Sequence, residues 1–220
     1  MGENTDTSLL REIDEELRQE HYSLLWARYG KLIIGAAIVL VASVAGYKGW
    51  QAYDISRRSE MADQFSLAVT AELNGDLSQA YQAYSALSTD ASGGYETLAR
   101  FRVASTLSQQ GDQSGAAAAY SALAEDASID LQYRNLAVLL STMNELDTAE
   151  PAGIISRLAP MTGDDNAWRF SAREMSALAA VRSGNRQQAI DFLNQLIADM
   201  AAPSGVRARA QELLAAIGTP

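Results

Sequence analysis

The 220-residue chain has no cysteine and a single histidine, which excludes disulfides, thiolate metal sites, cysteine nucleophiles and paired-histidine zinc motifs. The missing cysteines leave no redox clue to compartment; they suit an oxidising one without requiring it. Aromatics are scarce, 7% of a chain that is 48% apolar, and alanine is abundant, as in helices packed closely on one another. Strand patterns are nearly absent. Basic residues are in deficit, 17 against 27 acidic ones, and most of the acidic excess follows an N-terminal apolar run. A phosphate backbone needs a basic surface opposite it, so non-specific nucleic-acid binding is excluded. No GxxxxGK[ST] run offers a phosphate cradle, and Gly93-Gly94 lacks a flanking strand, which leaves it as a turn.

The first feature present is a membrane segment. Sixteen residues from Leu32 to Tyr47 carry no charge, slightly short of the roughly 20 that cross a hydrocarbon core. The flanks supply the rest. Trp26, Tyr29 and Lys31 precede the run, and Lys48, Trp50 and Tyr53 follow it, as interfacial anchors do, so the span is placed at 31–53. A buried core helix and a cleaved signal peptide, with Ser43-Val44-Ala45 as its cleavage site, are the alternatives. The signal-peptide reading conflicts with about thirty preceding residues that are acidic rather than basic. Arg11, Arg18, Arg28 and Lys31 on one side against Lys48, Arg57 and Arg58 on the other slightly favour a cytoplasmic N-terminus. Gly35, Ala42, Gly46 and Gly49 share one helical face, a stripe either for close approach of another helix or simply typical of membrane helices.

Residues 1–30 form the N-terminal segment. Leu10, Ile13 and Leu17 predict an amphipathic helix with Ser8 as N-cap, and its acidic surplus argues against anionic lipid. His21 reads as an incidental polar residue.

Behind the anchor, residues 54–220 repeat themselves. Gly75 is followed by Ala80, Tyr84 and Leu87; Gly111 by Ala116, Tyr120 and Leu123; Gly184 by Ala189, Leu193 and Leu196. An alanine stands seven residues before each glycine, at Ala68, Ala104 and Ala177. A degenerate copy, with Leu139, Leu146, Ile155 and Leu158, fits between the second and the last, and its second helix should start near Pro151. The leucine spacings give a period of 35 to 38 residues. Glycine ends a helix in a left-handed turn, alanines mark close crossings, and Tyr84 and Tyr120 fill wider gaps. One helix pair cannot cover its own apolar face, so successive pairs stack, and 203–217 reads as a capping helix. The fold expected is all-α: one transmembrane helix followed by a helical-hairpin solenoid.

Alanine, glycine, alanine and an aromatic at these offsets resemble tetratricopeptide repeats, although the usual tryptophan, the first-helix tyrosine and the closing proline are missing. Glu12-Ile13-Asp14-Glu15-Glu16-Leu17, then Trp26-Ala-Arg-Tyr-Gly-Lys, one span, Gly49-Trp50-Gln51 and the repeats together resemble the bacterial ancillary translocon-subunit family of the YfgM type. That resemblance covers nearly the whole chain. It implies an inner-membrane protein with a periplasmic repeat domain, associated with the SecYEG channel, periplasmic chaperones and exported clients.

No catalytic, cofactor-binding or metal-ligating residue is expected. Asp164-Asp165 stands where a helix N-cap and first-turn acid belong, with acid/base chemistry as its other reading. Glu125-Asp126 reads as a solvated loop. Trp168, Met61, Met143, Met175 and Met200 fall at helical spacings and read as core. Arg100, Arg134, Arg169 and Arg173 are placed on first helices, facing a groove or solvent. The leading expectation is a membrane-anchored protein-interaction module that binds proteins and is not an enzyme. Its alternatives are a scaffold for another envelope complex and a carboxylate-dependent envelope hydrolase. The transmembrane stripe also allows a homo-oligomer.

Overall fold

The computed structural model describes the backbone of residues 3–91 and 93–218, and side chains from Trp26 onward. The side chains of Leu10, Ile13, Leu17 and His21 lie outside the described residues. Described residues form α-helices and one 3-10 turn, with no strand among them. The chain divides into two compact units, Met1–Ser59 and Glu60–Pro220.

Helix α1, Glu3–Leu73, runs through the first unit. Its start at Glu3 puts Ser8 inside the helix, which corrects the expected N-cap. From Lys31 to Trp50 every residue is exposed, so no protein surface covers the apolar run. Its hydroxyl at Ser43 is nevertheless satisfied, donating to the Val39 carbonyl at 2.8 Å. A polar group that closes onto its own helix asks nothing of its surroundings.

The second unit begins with the last residues of α1 and continues through α2 (Leu77–Asp90), α3 (Gly94–Gln109), α4 (Gln113–Glu125) and α5 (Leu131–Glu145). Then come α6 (Pro151–Leu158), the 3-10 turn Ala159–Met161, α7 (Arg169–Arg182), α8 (Arg186–Ala198) and α9 (Ser204–Ile217). Helices from α2 onward pack on their neighbours in the chain. Three of the connections are one motif. At Gly111 φ is +87°, the Asp112 amide donates to the Leu107 carbonyl at 3.0 Å, and the Asp112 carboxylate caps α4 by accepting from the Gly115 amide at 2.8 Å. The six-residue backbone bond and left-handed glycine are those of a Schellman turn, so two residues end one helix and start the next. Gly75-Asp76 and Gly184-Asn185 repeat the arrangement, with caps on the amides of Gln79 and Gln188.

The connection between α5 and α6 differs because Leu146 cannot take the left-handed conformation cheaply. Leu146 stays right-handed, the turn lengthens, and Glu150 caps α6 at the Gly153 amide with Pro151 in the first helical turn. The Leu146 carbonyl, left open, accepts from the Arg182 guanidinium of the following repeat. Helix α6 has only 8 residues, touches α5 sparingly and packs mainly on α7.

Small and large residues alternate through the core. Ala80, Ala104, Ala116, Ala177 and Ala189 are fully buried where helices cross, and Tyr84 and Tyr120 fill the spaces beside them. Phe65 and Tyr84 lie 5.4 Å apart, ring to ring, as do Phe101 and Tyr120 at 6.0 Å. Leu193, Leu196 and Ala177 are covered by α9 through Val206, Ala210 and Leu213.

Candidate functional site

In the first unit, Trp26, Tyr29, Lys31, Lys48 and Trp50 are all exposed on α1. The Lys48 ammonium reaches along the helix to the Gln51 side chain at 3.3 Å, and the Trp26 ring lies over Gly30. Among the described residues one helix is long and apolar enough to cross a membrane. Gly35, Ala42, Gly46 and Gly49 are exposed, with open space where a Cβ would stand on each glycine.

In the second unit, the arginines read as groove or solvent residues are for the most part structural. The Arg100 guanidinium donates to Asp126 at 2.6 Å, and both side chains are about three-quarters covered. Asp126 is therefore not a solvated loop carboxylate. The Ser128 hydroxyl, the Arg100 guanidinium and the Ser128 amide hold it well below the usual carboxylate range, at about 2. Arg173 is buried; it donates to Asp164 at 2.5 Å, to the Thr162 carbonyl at 2.9 Å and to Asp199 at 3.5 Å. A buried guanidinium without such partners would be costly. Arg169 donates to Asp199 at 3.1 Å and stacks on the Phe170 ring at 4.0 Å. Arg169 and the Ala201 amide hold Asp199 below its usual range. Arg134 is half-buried, with no hydrogen-bond partner at its Nε.

Asp164 and Asp165 do not cap α7, which begins only at Arg169. Their displacement follows from Asn166, whose side chain accepts from the Trp168 amide at 2.9 Å and stretches the loop before the helix. With Asp164 tied to Arg173, the carboxylate-hydrolase reading gains no support.

Leu98, Tyr133 and Leu178, which remain open on the first helices, were not singled out by sequence. Leu98 and Tyr133 stand at the same repeat offset, thirteen residues before Gly111 and Leu146, and both are exposed. Met143 on α5 and Leu178 on α7 are exposed as well. Met143 was read as core, as was Met200, and the structure corrects both: they are 59% and 89% exposed. Met61, Met175 and Trp168 are partly buried against the core. For Leu98 and Tyr133 the available signal was their shared repeat offset.

Polar groups tie neighbouring repeats together. Glu72 accepts from the Tyr84 hydroxyl at 2.8 Å and the Gln109 amide at 2.8 Å, with Arg102 at 3.6 Å. Burial first, and Glu72 second, push the Tyr84 phenol up to about 12.

These helix pairs place apolar and polar side chains in register on successive first helices, an arrangement typical of non-enzymatic scaffolds that bind other proteins. No curated protein and no solved structure matches the chain. The family described as "Tetratricopeptide repeat-like domain" matches residues 24–202, a stretch that takes in the apolar helix together with the helix pairs from α2 to α8. The chain belongs to that tetratricopeptide repeat-like family.

Proposed function

We propose that the protein is a single-pass inner-membrane subunit ancillary to the SecYEG translocon, which links the channel to periplasmic chaperones and client proteins. Residues 1–30 lie in the cytoplasm, 31–53 cross the membrane, and 54–220 stand in the periplasm. The observation that carries this reading is the uncovered, uncharged run Leu32–Tyr47 in the same chain as a protein-binding repeat domain. A tether of this kind raises the local concentration of the repeats at a membrane complex, so weak contacts suffice. Leu98, Tyr133, Met143 and Leu178 offer apolar contacts on the first helices, and the Gly35–Gly49 stripe suits a transmembrane helix of the channel or of a second copy.

Photo-crosslinking from positions 98 and 133 in intact membranes, followed by identification of the attached proteins, tests the assignment. Translocon subunits and periplasmic chaperones are expected. Attachment solely to subunits of another envelope complex would reject the translocon role while leaving the interaction module standing. Protease protection on spheroplasts tests orientation: digestion of the repeat domain from outside is expected, and full protection would reverse the topology and remove the reading.

A further inference from the structure

We propose that the repeat helices form two bodies, one ending with α5 and the other running from α6 to α9, which swing apart along the seam between α5 and α7. The swing sets the spacing of two open side chains, Tyr133 on α5 and Leu178 on α7. This device goes beyond the translocon reading and does not depend on it.

The seam originates in the degenerate copy. Across the tight turns, α3 packs along α4 and α7 along α8. Across the longer turn at Leu146 the partners change: α5 packs on α4, whereas the 8-residue α6 touches α5 sparingly and packs on α7. Apolar contact between the bodies is correspondingly thin. To the cluster that α6 and α7 build from Ile154, Leu158, Ala172 and Ala179, α5 contributes one buried residue, Leu139.

The facing walls also hold buried polar atoms without partners. Thr142 stands one turn from Leu139 on α5, and Ser176 stands one turn from both Ala172 and Ala179 on α7, so each lies on the face turned to the seam. Both residues are fully buried, and neither hydroxyl has a hydrogen-bond partner. Trp168, packed against the same cluster, has an unpartnered indole N–H as well. Such atoms oppose the closed arrangement, because opening gives them water.

Polar ties lie at one end of the seam. Arg157 on α6 donates to Glu145 at 2.7 Å, and Arg182 at the end of α7 donates to the Leu146 carbonyl, so both grip the end of α5. Among the described residues no hydrogen bond or ion pair joins the first turn of α5 to the second body. That turn is capped by Asp130, and its Tyr133 ring lies against Phe101 of its own body at 6.5 Å. Rotation about the end of α5 therefore keeps both arginine ties and the core of each body, and gives up chiefly the burial of Leu139.

The test uses introduced cysteines as reporters, because the chain has none of its own. Ser176→Cys, in the seam, is compared with Thr106→Cys, equally buried within the first body, each in the full chain in detergent micelles. The probe is a water-soluble maleimide; labelling is followed by intact mass over a urea series, with helicity checked by circular dichroism. The thiol of Ser176→Cys is expected to react roughly tenfold faster or more, with a shallower urea dependence, because opening the seam exposes less surface than unfolding does. Adding Thr142→Val removes a buried hydroxyl from the opposite wall at nearly constant shape, and should slow that reaction roughly tenfold. If Ser176→Cys does not fold, Thr142→Cys reports from the other wall, with Ser176→Ala as the variant that slows it. Equal rates and equal urea dependence at the seam and control positions would overturn the hinge, and so would a folded Thr142→Val protein whose seam thiol reacts no more slowly.

Discussion

Arg100 on α3 and Asp126 at the end of α4 are 26 residues apart in the chain and 2.6 Å apart in space, and Arg173 and Asp199 repeat that relationship two copies later. The pair closes the open end of a helix hairpin whose other end is held by the Gly-Asp or Gly-Asn turn. Each of these two hairpins is thereby fastened at both ends by polar groups, with alanines between.

The fastening at Asp126 has a pH signature. Its carboxyl is lower in the folded chain, about 2, than in the unfolded one, so folding binds fewer protons at this group. Its contribution to stability is complete above the ordinary aspartate range and is lost as pH falls toward about 2. Side-chain carboxyl NMR titration should find the Asp126 midpoint near that value, and Ser128→Ala should raise it. An ordinary midpoint in the native chain would contradict the geometry.

Tyr84 carries the opposite signature. Its folded value, about 12, lies above the unfolded one, so its contribution is complete below about 10 and disappears as pH rises through about 12. Tyr84→Phe should remove this alkaline loss. At neutral pH it should cost about 1–2 kcal/mol, because the Glu72 carboxylate loses a buried donor but keeps Gln109 and Arg102. Urea unfolding of the two proteins at pH 7 and pH 11 checks both statements.

Gly111→Ala should destabilise the repeat domain by about 1–2 kcal/mol through backbone strain alone. Open space surrounds the added methyl, and φ of +87° is the whole difficulty. Gly35→Ala, at an exposed helical position, is the control and should cost nothing in the same denaturation experiment.

The chain's two lysines, Lys31 and Lys48, sit at opposite ends of the apolar run, 17 residues or roughly 25 Å of helix apart. A membrane-impermeant amine reagent applied outside spheroplasts should modify Lys48 and spare Lys31, read by peptide mass. Modification of both would remove the membrane from between them.

Much of this was legible one residue type at a time. Gly75, Gly111 and Gly184 announce a left-handed helix end, and the alanines seven before and five after announce a close crossing, because both demands act within a few residues. The polar residue after each glycine was visible, yet its second task as N-cap appears only once two helices are seen to share one turn. Asp164 misled for the same reason: a pair of acids looks like a helix start, and Asn166 moves that start to Arg169. Met143 and Met200 misled because helical spacing places a side chain on a face without saying whether that face is covered.

Composition and spacing alone determined the all-helical class, the repeat period and a segment long and apolar enough to cross a membrane. These depend on backbone preference and on side chains within one or two turns of each other. Only tertiary structure decided which guanidinium meets which carboxylate and which apolar side chains stay open. Those outcomes depend on the packing of helices that are distant in the chain, and short-range spacing does not encode it.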